Sequence, residues 1–367
     1  MPANKPPFDG EWVRLNQLCM KGRSALRQKD LIDDGPYAVY GASGIIGSMS
    51  TFQNGARYVA VVKDGAGVGR ANLCSARTSV LGTMQALIPT EMVLPEYLLH
   101  LIRAMRLGDG FSGSTIPHIY FKDYGQRLVR YVSMADQERI VGMLGSIEDQ
   151  IDILHQQNER FDTLVKSRFV EMFGGMKYES VPMGHLVAEI VAGTNVGGKQ
   201  RPLLKGEYGV LKISAVTKGV FDASQYKVVE DVSSIKMVHP RKGDLLFSRA
   251  NTREMVGATA IVDKDCACLF LPDKLWRIDP TDEVNTVFLK ALLSSSRMRR
   301  EISNASTGSS GSMQNISMTK FRSLPAFLPP LALQQEFASF VAEVDKSRFN
   351  LLKAYGSIIA LFRVLFP

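Results

Sequence analysis

A chain that repeats itself at the scale of a domain folds as two similar modules with like connectors, and this one repeats its landmarks in order. "VRLNQL" (13–18) returns as "VPMGHL" (181–186), and "YAVYGASGIIG" (37–47) as "YGVLKISAVTKG" (208–219). "YVAVVKDGAGVGRANLCSA", from Tyr58, returns as "GDLLFSRANTREMVGATAIV", from Gly243, and "TIPHI" (115–119) as "SMQNI" (312–316). Then "VSMADQERIVGML", from Val132, is followed by "PPLALQQEFASFV", from Pro329, which sets Gln137-Glu138 against Gln335-Glu336. Each match alone is weak. The shared order makes the chain a tandem duplication.

Each half reads as a β-rich globular part followed by a long helix. Short apolar runs such as "YVAVV" and "GDLLFS" are separated by Gly, Asn and Asp turns, and "PEYLLHLIRAM" and "NTVFLKALLSSSRMRREI" carry helical spacing. The first long helix has an a/d seam of Ile140, Leu144, Ile147, Ile151, Leu154, Asn158, Phe161 and Val165, continued by Arg168. Asn158 is a polar seam residue of the kind that fixes register. The C-terminal segment places Phe337, Val341, Val344, Arg348, Leu351, Tyr355, Ile358, Phe362 and Leu365 at the same spacing. Helices of roughly 35 residues run roughly 50 Å, longer than one small domain. Pairing them with each other buries both seams; the competing arrangement packs each on its own domain. The expected fold is α+β: two similar globular domains, β-rich with short helices, separated by two long antiparallel helices in a coiled coil with pseudo-two-fold symmetry. The expected boundaries are 1–130, 131–178, 179–328 and 329–367.

The 367 residues carry a formal charge of +8, which suits a polyanionic partner. No apolar run approaches the ~20 residues of a membrane span. The start, "MPANKPPFDGEWVRL", lacks a signal peptide's apolar core, so a cytoplasmic protein is expected. Cys19, Cys74, Cys266 and Cys268 form no C-x-x-C pair, and His100, His118, His155, His185 and His239 are scattered, so no metal site is expected.

"KDGAGVGR" (63–70) follows an apolar strand, as a phosphate-binding glycine loop does. The duplication argues otherwise. At the same place the second half has "SRANTREMVG", in which only Val68-Gly69 recurs, as Val256-Gly257. A turn that keeps its place but changes its tip reads as a hairpin suited to two modules with different targets.

"YAVYGASGIIG", "GDLLFSRANTREMVG", "SMADQERIVGMLGSIEDQIDILHQQNERFDTLVKSRFVEMF" and "PPLALQQEFASFVAEVDK" together resemble the specificity subunit of type I restriction-modification systems. The resemblance runs from about Trp12 to the end. It implies two target-recognition domains, each reading half of a bipartite duplex DNA target, and two helices that form the spacer rod. It also implies partners: two modification subunits, which bring S-adenosylmethionine and methylate adenine, and restriction subunits that translocate and cleave DNA. S-adenosylmethionine, ATP and Mg belong to those subunits; this chain is expected to hold no cofactor and to catalyse nothing.

The residues agree with a chain lacking catalysis. "NKPPF" (4–8) has the look of an adenine-methyltransferase Asn-Pro-Pro-aromatic motif, but Lys5 interrupts it and no cofactor-binding β-α unit accompanies it. "GASG" and "GVGR" lack the Lys-Ser/Thr of a P-loop. Candidate DNA contacts in the first half are Tyr40, Ser43, Lys63, Arg70, Ser112, Ser114, Thr115 and His118. In the second they are Lys199, Arg201, Lys212, Ser214, Lys218, Arg249, Asn251, Arg253, Ser309 and Ser310, with Arg297, Arg299 and Arg300 nearby. Arg forks to guanine and Asn to adenine, whereas Lys and Ser hold phosphates. Two other readings stand beside this one: a recognition chain with its own methylation or cleavage, which would need an intact cofactor motif, and a protein-only coiled-coil adaptor, which would not need cations on equivalent turns.

Overall fold

The computed structural model describes residues 8–113, 116–308 and 313–365. Two compact units divide it, with their boundaries inside the long helices, after His155 and after Leu352.

The first unit runs β1 (Glu11–Arg14), α1 (Leu15–Leu18), β2 (Cys19–Lys21), β3 (Tyr37–Gly41), β4 (Gly44–Met49), β5 (Tyr58–Val62), β6 (Ala71–Cys74), β7 (Ser79–Val80), β8 (Met84–Pro89), α2 (Pro95–Ala104), α3 (Phe121–Tyr124), β9 (Leu128–Tyr131) and α4 (Met134–Phe173). Its sheets have the orders β2-β8-β5-β6, β4-β3-β7 and β1-β9. All pairings are antiparallel except β3 with β7.

The second unit runs β10 (Ser180–Pro182), β11 (Val187–Ala192), β12 (Tyr208–Leu211), β13 (Tyr226–Val229), β14 (Leu245–Ser248), β15 (Ala250–Asn251), β16 (Thr259–Ile261), β17 (Leu269–Phe270), β18 (Leu275–Pro280), α5 (Thr286–Ser294), α6 (Ser296–Ala305), β19 (Gln314–Asn315), α7 (Met318–Arg322), β20 (Pro325–Phe327) and α8 (Leu331–Leu365). Its main sheets are β11-β18-β14-β16, β13-β12-β17 and β10-β20, and the one parallel pairing is again β12 with β17. The duplication seen in the residues is a duplication of topology.

The central strands explain why. Every residue of "YVAVV" in β5 is buried, as in a strand covered on both faces. Side chains alternate across a strand, so Val59 and Val61 enter the core beneath α2, while Tyr58, Ala60 and Val62 enter a second core on the other face. In β14, Leu245 and Phe247 face α5 and Leu246 faces away. The covering helices start differently. Pro95 opens α2, where its missing N–H is no loss. The Asn285 side chain caps α5 by accepting from the Val287 and Phe288 amides.

The long helices correct the expected register in one place. Gln137 of α4 is matched by Gln334, not Gln335: both are fully buried and make the same side-chain hydrogen bonds. The doublet Gln334-Gln335 hides this in the sequence.

Along the seam, Ile140, Leu144 and Ile147 are buried, and Ile151, Leu154, Asn158, Phe161 and Val165 are half-buried between exposed neighbours. Ile140 and Leu144 belong to the core of their own globular part, so the first turns of the seam do the work the competing arrangement assigned to it. Within the second unit the helices run antiparallel, because Arg168 pairs with Glu336 (3.0 Å) and Asp162 with Arg348 (2.6 Å). There Val165 and Val341 pack on the core, Val344 is buried and Leu351 is half-buried. The side chains of Ile358 and Phe362 lie outside the described residues.

Cys19, Cys74 and Cys266 are buried and Cys268 is exposed. Burial pushes the Cys19 thiol up to about 12 and the Cys74 thiol up to about 11. Because the thiolate is the nucleophile, a disulfide-exchange reagent should modify one thiol quickly in the native chain, and Cys268→Ser should abolish that phase. Fast modification surviving in the Cys268→Ser variant would contradict this burial.

Candidate nucleic-acid interface

In each unit the turn of the central hairpin meets the loop that precedes a short helix. In the first, the β5–β6 turn is closed by Gly69 N donating to Val62 O (2.8 Å). The loop before α3 docks on it: Ile119 N donates to Lys63 O and Gly65 N to Pro117 O, both at 3.0 Å. The loop closes on itself through two backbone bonds between Ser112 and His118 (2.9 and 2.7 Å). The second unit repeats this. Gly257 N donates to Ser248 O (2.7 Å), Ile316 N to Arg249 O (3.0 Å), and Thr307 and Asn315 exchange two bonds (2.8 and 2.9 Å). Gly69 and Gly257 sit at φ +84° and +81°, a left-handed conformation that favours glycine.

These bonds limit what 63–70 can do. A phosphate cradle needs free amides. Here the amides of Lys63, Asp64, Gly65, Val68, Gly69 and Arg70 donate to protein carbonyls, at Thr83 for the first two and at Pro117, Gly65, Val62 and Gly67 for the others, which leaves only Ala66 and Gly67 at the tip without a backbone acceptor among the described residues. The turn is a closed hairpin tip.

The tip and loop of the first unit bring together Lys63, Arg70, Ser112 and His118. Lys63 is half-buried and forms no ion pair among the described residues; Arg70 is exposed, its Nε 3.4 Å from Gly67 O. Ser112 Oγ donates to His118 O (3.3 Å). The His118 Nδ1 lies 2.6 Å from Asp64 Oδ1, and its ring stacks on Tyr120 at 6.3 Å. Tyr40 and Ser43 are elsewhere: Tyr40 packs from β3 against the second core, and Ser43 is exposed in the β3–β4 turn. Ser114 and Thr115 lie outside the described residues.

In the second unit, Arg249, Asn251 and Arg253 share the hairpin tip. Arg253 is exposed, with no ion pair among the described residues. Arg249 is tied to Asp273, donating to its carbonyl (2.9 Å) and its carboxylate (3.4 Å). The Asn251 carbonyl oxygen accepts from Thr252 N, while its buried Nδ2 has no hydrogen-bond partner among the described residues. A second group lines β12 and β13. Lys199 pairs with Glu230 (2.6 Å), Lys212 reaches Gln200 (3.3 Å), and Ser214 donates to Gln225 (2.9 Å). Arg201 forks onto Glu207 (2.6 and 2.7 Å) and holds that carboxyl at about 2. Lys218 edges an open cavity of about 490 Å³ with Asp222, Asp263 and Lys264. Ser309 and Ser310 lie outside the described residues.

Three features escaped the sequence reading. Asp64 orients His118, and Tyr120 stacks on it. Arg299 braces the hairpin tip, its Nη2 donating to Glu254 O (2.6 Å), instead of standing free at the surface. The matching of "TIPHI" to "SMQNI" was the one signal that this loop meets the hairpin. Among the described residues no group of His, Cys, Asp and Glu could hold a metal, and no helix is long and apolar enough to cross a membrane.

Two copies of one α+β module, each feeding a long helix and each presenting a variable hairpin tip, define a tandem recognition scaffold. Residues 187–356 match the family described as the type I restriction modification DNA specificity domain. The chain as a whole has the fold of the S subunits of type I restriction-modification systems. It is similar to the S subunit from M. genitalium (13% identity, 99% of this chain and 96% of that one, TM-score 0.57). It is similar again to a chain from a solved type I R-M system (16% identity, 99% and 98%, TM-score 0.55). Among curated proteins it is 26% identical over 175 residues to the type I restriction enzyme EcoEI specificity subunit of Escherichia coli, a stretch covering 46% of this chain and 29% of that relative.

Proposed function

We propose that this chain is the non-catalytic DNA-reading subunit of a type I restriction-modification complex. Each globular part reads one half of a bipartite duplex target. The long helices set the spacing between the halves and dock two modification subunits, which supply S-adenosylmethionine and adenine methylation; restriction subunits supply ATP- and Mg-dependent translocation and cleavage. The observation that carries the reading is the pair of hairpin tips. They are closed by equivalent backbone bonds at Gly69 and Gly257, yet they present Lys63, Asp64 and His118 in one unit and Arg249, Asn251 and Asn315 in the other. Constant backbone with variable side chains is what reading two different half-sites requires.

The test is duplex binding by the chain with its modification subunit across a salt series. Affinity should fall linearly on a log–log plot, by about 0.9 in slope per neutralised phosphate. Arg253→Ala and Lys63→Ala should each weaken binding and flatten the slope by up to about 1. A complex with no preference for any duplex sequence would overturn the reading.

A further inference from the structure

Beyond core packing, each long helix is tied to its own globular part by directional polar contacts, and one of them repeats between the units. The first is a buried glutamine. Gln137 Oε1 accepts from Leu94 N (2.9 Å), and its Nε2 donates to Met92 O (2.8 Å) and Val132 O (3.0 Å). Gln334 Oε1 accepts from Asn285 N (2.8 Å), and its Nε2 donates to Glu283 O (3.0 Å) and Pro329 O (2.8 Å). Each amide thus joins the first turns of a long helix to the residue two positions before its start and to the loop leading into α2 or α5.

A second contact lies eleven residues along α4, from 137 to 148. That is three turns, or about 16 Å. Here Glu148 pairs with Arg103 of α2 (3.1 Å), with His100 alongside. Burial holds the His100 imidazole below its ordinary range, and Glu148 opposes that shift.

Apolar packing holds each globular part against its helix, and directional bonds to that helix restrict tilt and rotation within that packing. An apolar side chain at 137 or 334 would fill the same core. Three hydrogen bonds to groups fixed in direction do more, because they hold only in one orientation. The tips that face the target differ between the units, whereas this anchor does not.

We propose that the buried glutamine anchor, Gln137 together with Glu148–Arg103 in one unit and Gln334 in the other, is the positioning device that sets the angle of each recognition part on its helix, and so the DNA spacer the chain accepts. This rests on the bipartite reading above. The experiment uses the chain with its modification subunit and a randomised duplex pool, from which half-sites and spacer are both recovered. Gln334→Ala and Gln137→Ala should each broaden the spacer profile, lowering the preference for the best spacer over its neighbours roughly 2- to 10-fold, with unchanged half-site bases. Because an alanine variant can fail to fold, a charge reversal serves as the second arm. Arg103→Glu and Glu148→Arg should each broaden the profile, and the double variant should restore it. Equal weakening at every spacer, a change in half-site bases, or no rescue by the double variant overturns the anchor alone. A wild-type complex with no half-site preference overturns the bipartite reading and the anchor with it.

Discussion

Phe337→Ala should destabilise the second unit by about 3–5 kcal/mol, the usual range for emptying a buried phenylalanine site. Phe337 is fully buried near the start of α8. Its ring lies 5.6 Å from Phe169 and 5.7 Å from Phe173, both near the end of α4. Phe169 and Phe173 in turn meet Phe288 of α5, at 6.0 and 5.1 Å. One ring therefore joins both long helices to the globular part, and a cavity there has rigid walls that cannot collapse onto it. The first unit has Ile140 at the matching place, buried in its own core. Ile140→Ala should cost about 2–5 kcal/mol, since fewer atoms are removed. Denaturant unfolding measures both, and a loss below about 1 kcal/mol for Phe337→Ala would mean that the aromatic cluster is not a core.

The comparison of these two residues shows what the sequence could tell. Spacing of four and three marked Ile140 and Phe337 as apolar-face residues, because a helix repeats its face at that period whatever lies against it. Periodicity names the face and not what covers it. So the seam was legible, but not the fact that its first turns enter the globular cores. The hairpin was legible for a different reason: the duplication compared two loops under one backbone requirement, and Val68-Gly69 with Val256-Gly257 survived the comparison. The partners of the cations were not legible. Arg249 is engaged by Asp273 and Lys199 by Glu230, contacts set by tertiary folding, and both look like free surface charges in the sequence. Arg253 and Lys63 differ from them only in having no such carboxylate among the described residues. The Gln137–Gln334 register was hidden by an adjacent second glutamine, and only burial separates the two.

Gly69→Ala and Gly257→Ala should separate backbone strain from steric conflict, and the two half-sites from each other. Both glycines have positive φ, so an L side chain costs each about 1–2 kcal/mol. Their surroundings differ. A Cβ on Gly257 would come within 2.8 Å of Arg299 Nη1, the end of a flexible side chain, and of a methyl of the buried Ile302. A Cβ on Gly69 would collide with the backbone nitrogen of Gly108, in the segment that leads to the Ser112–His118 loop. Backbone cannot yield without displacing that loop, so Gly69→Ala should be the more destabilising of the two and should move Lys63 and His118 apart. If each unit reads its own half-site, selection from a duplex pool should then lose base preference in one half-site for Gly69→Ala and retain it in the other. Gly257→Ala should give the mirror result in weaker form, because Arg299 can swing away from Glu254 while the Gly257–Ser248 bond holds. Loss of preference in both half-sites from either substitution alone, with the chain still folded, would mean that the hairpin tips do not act as separate readers.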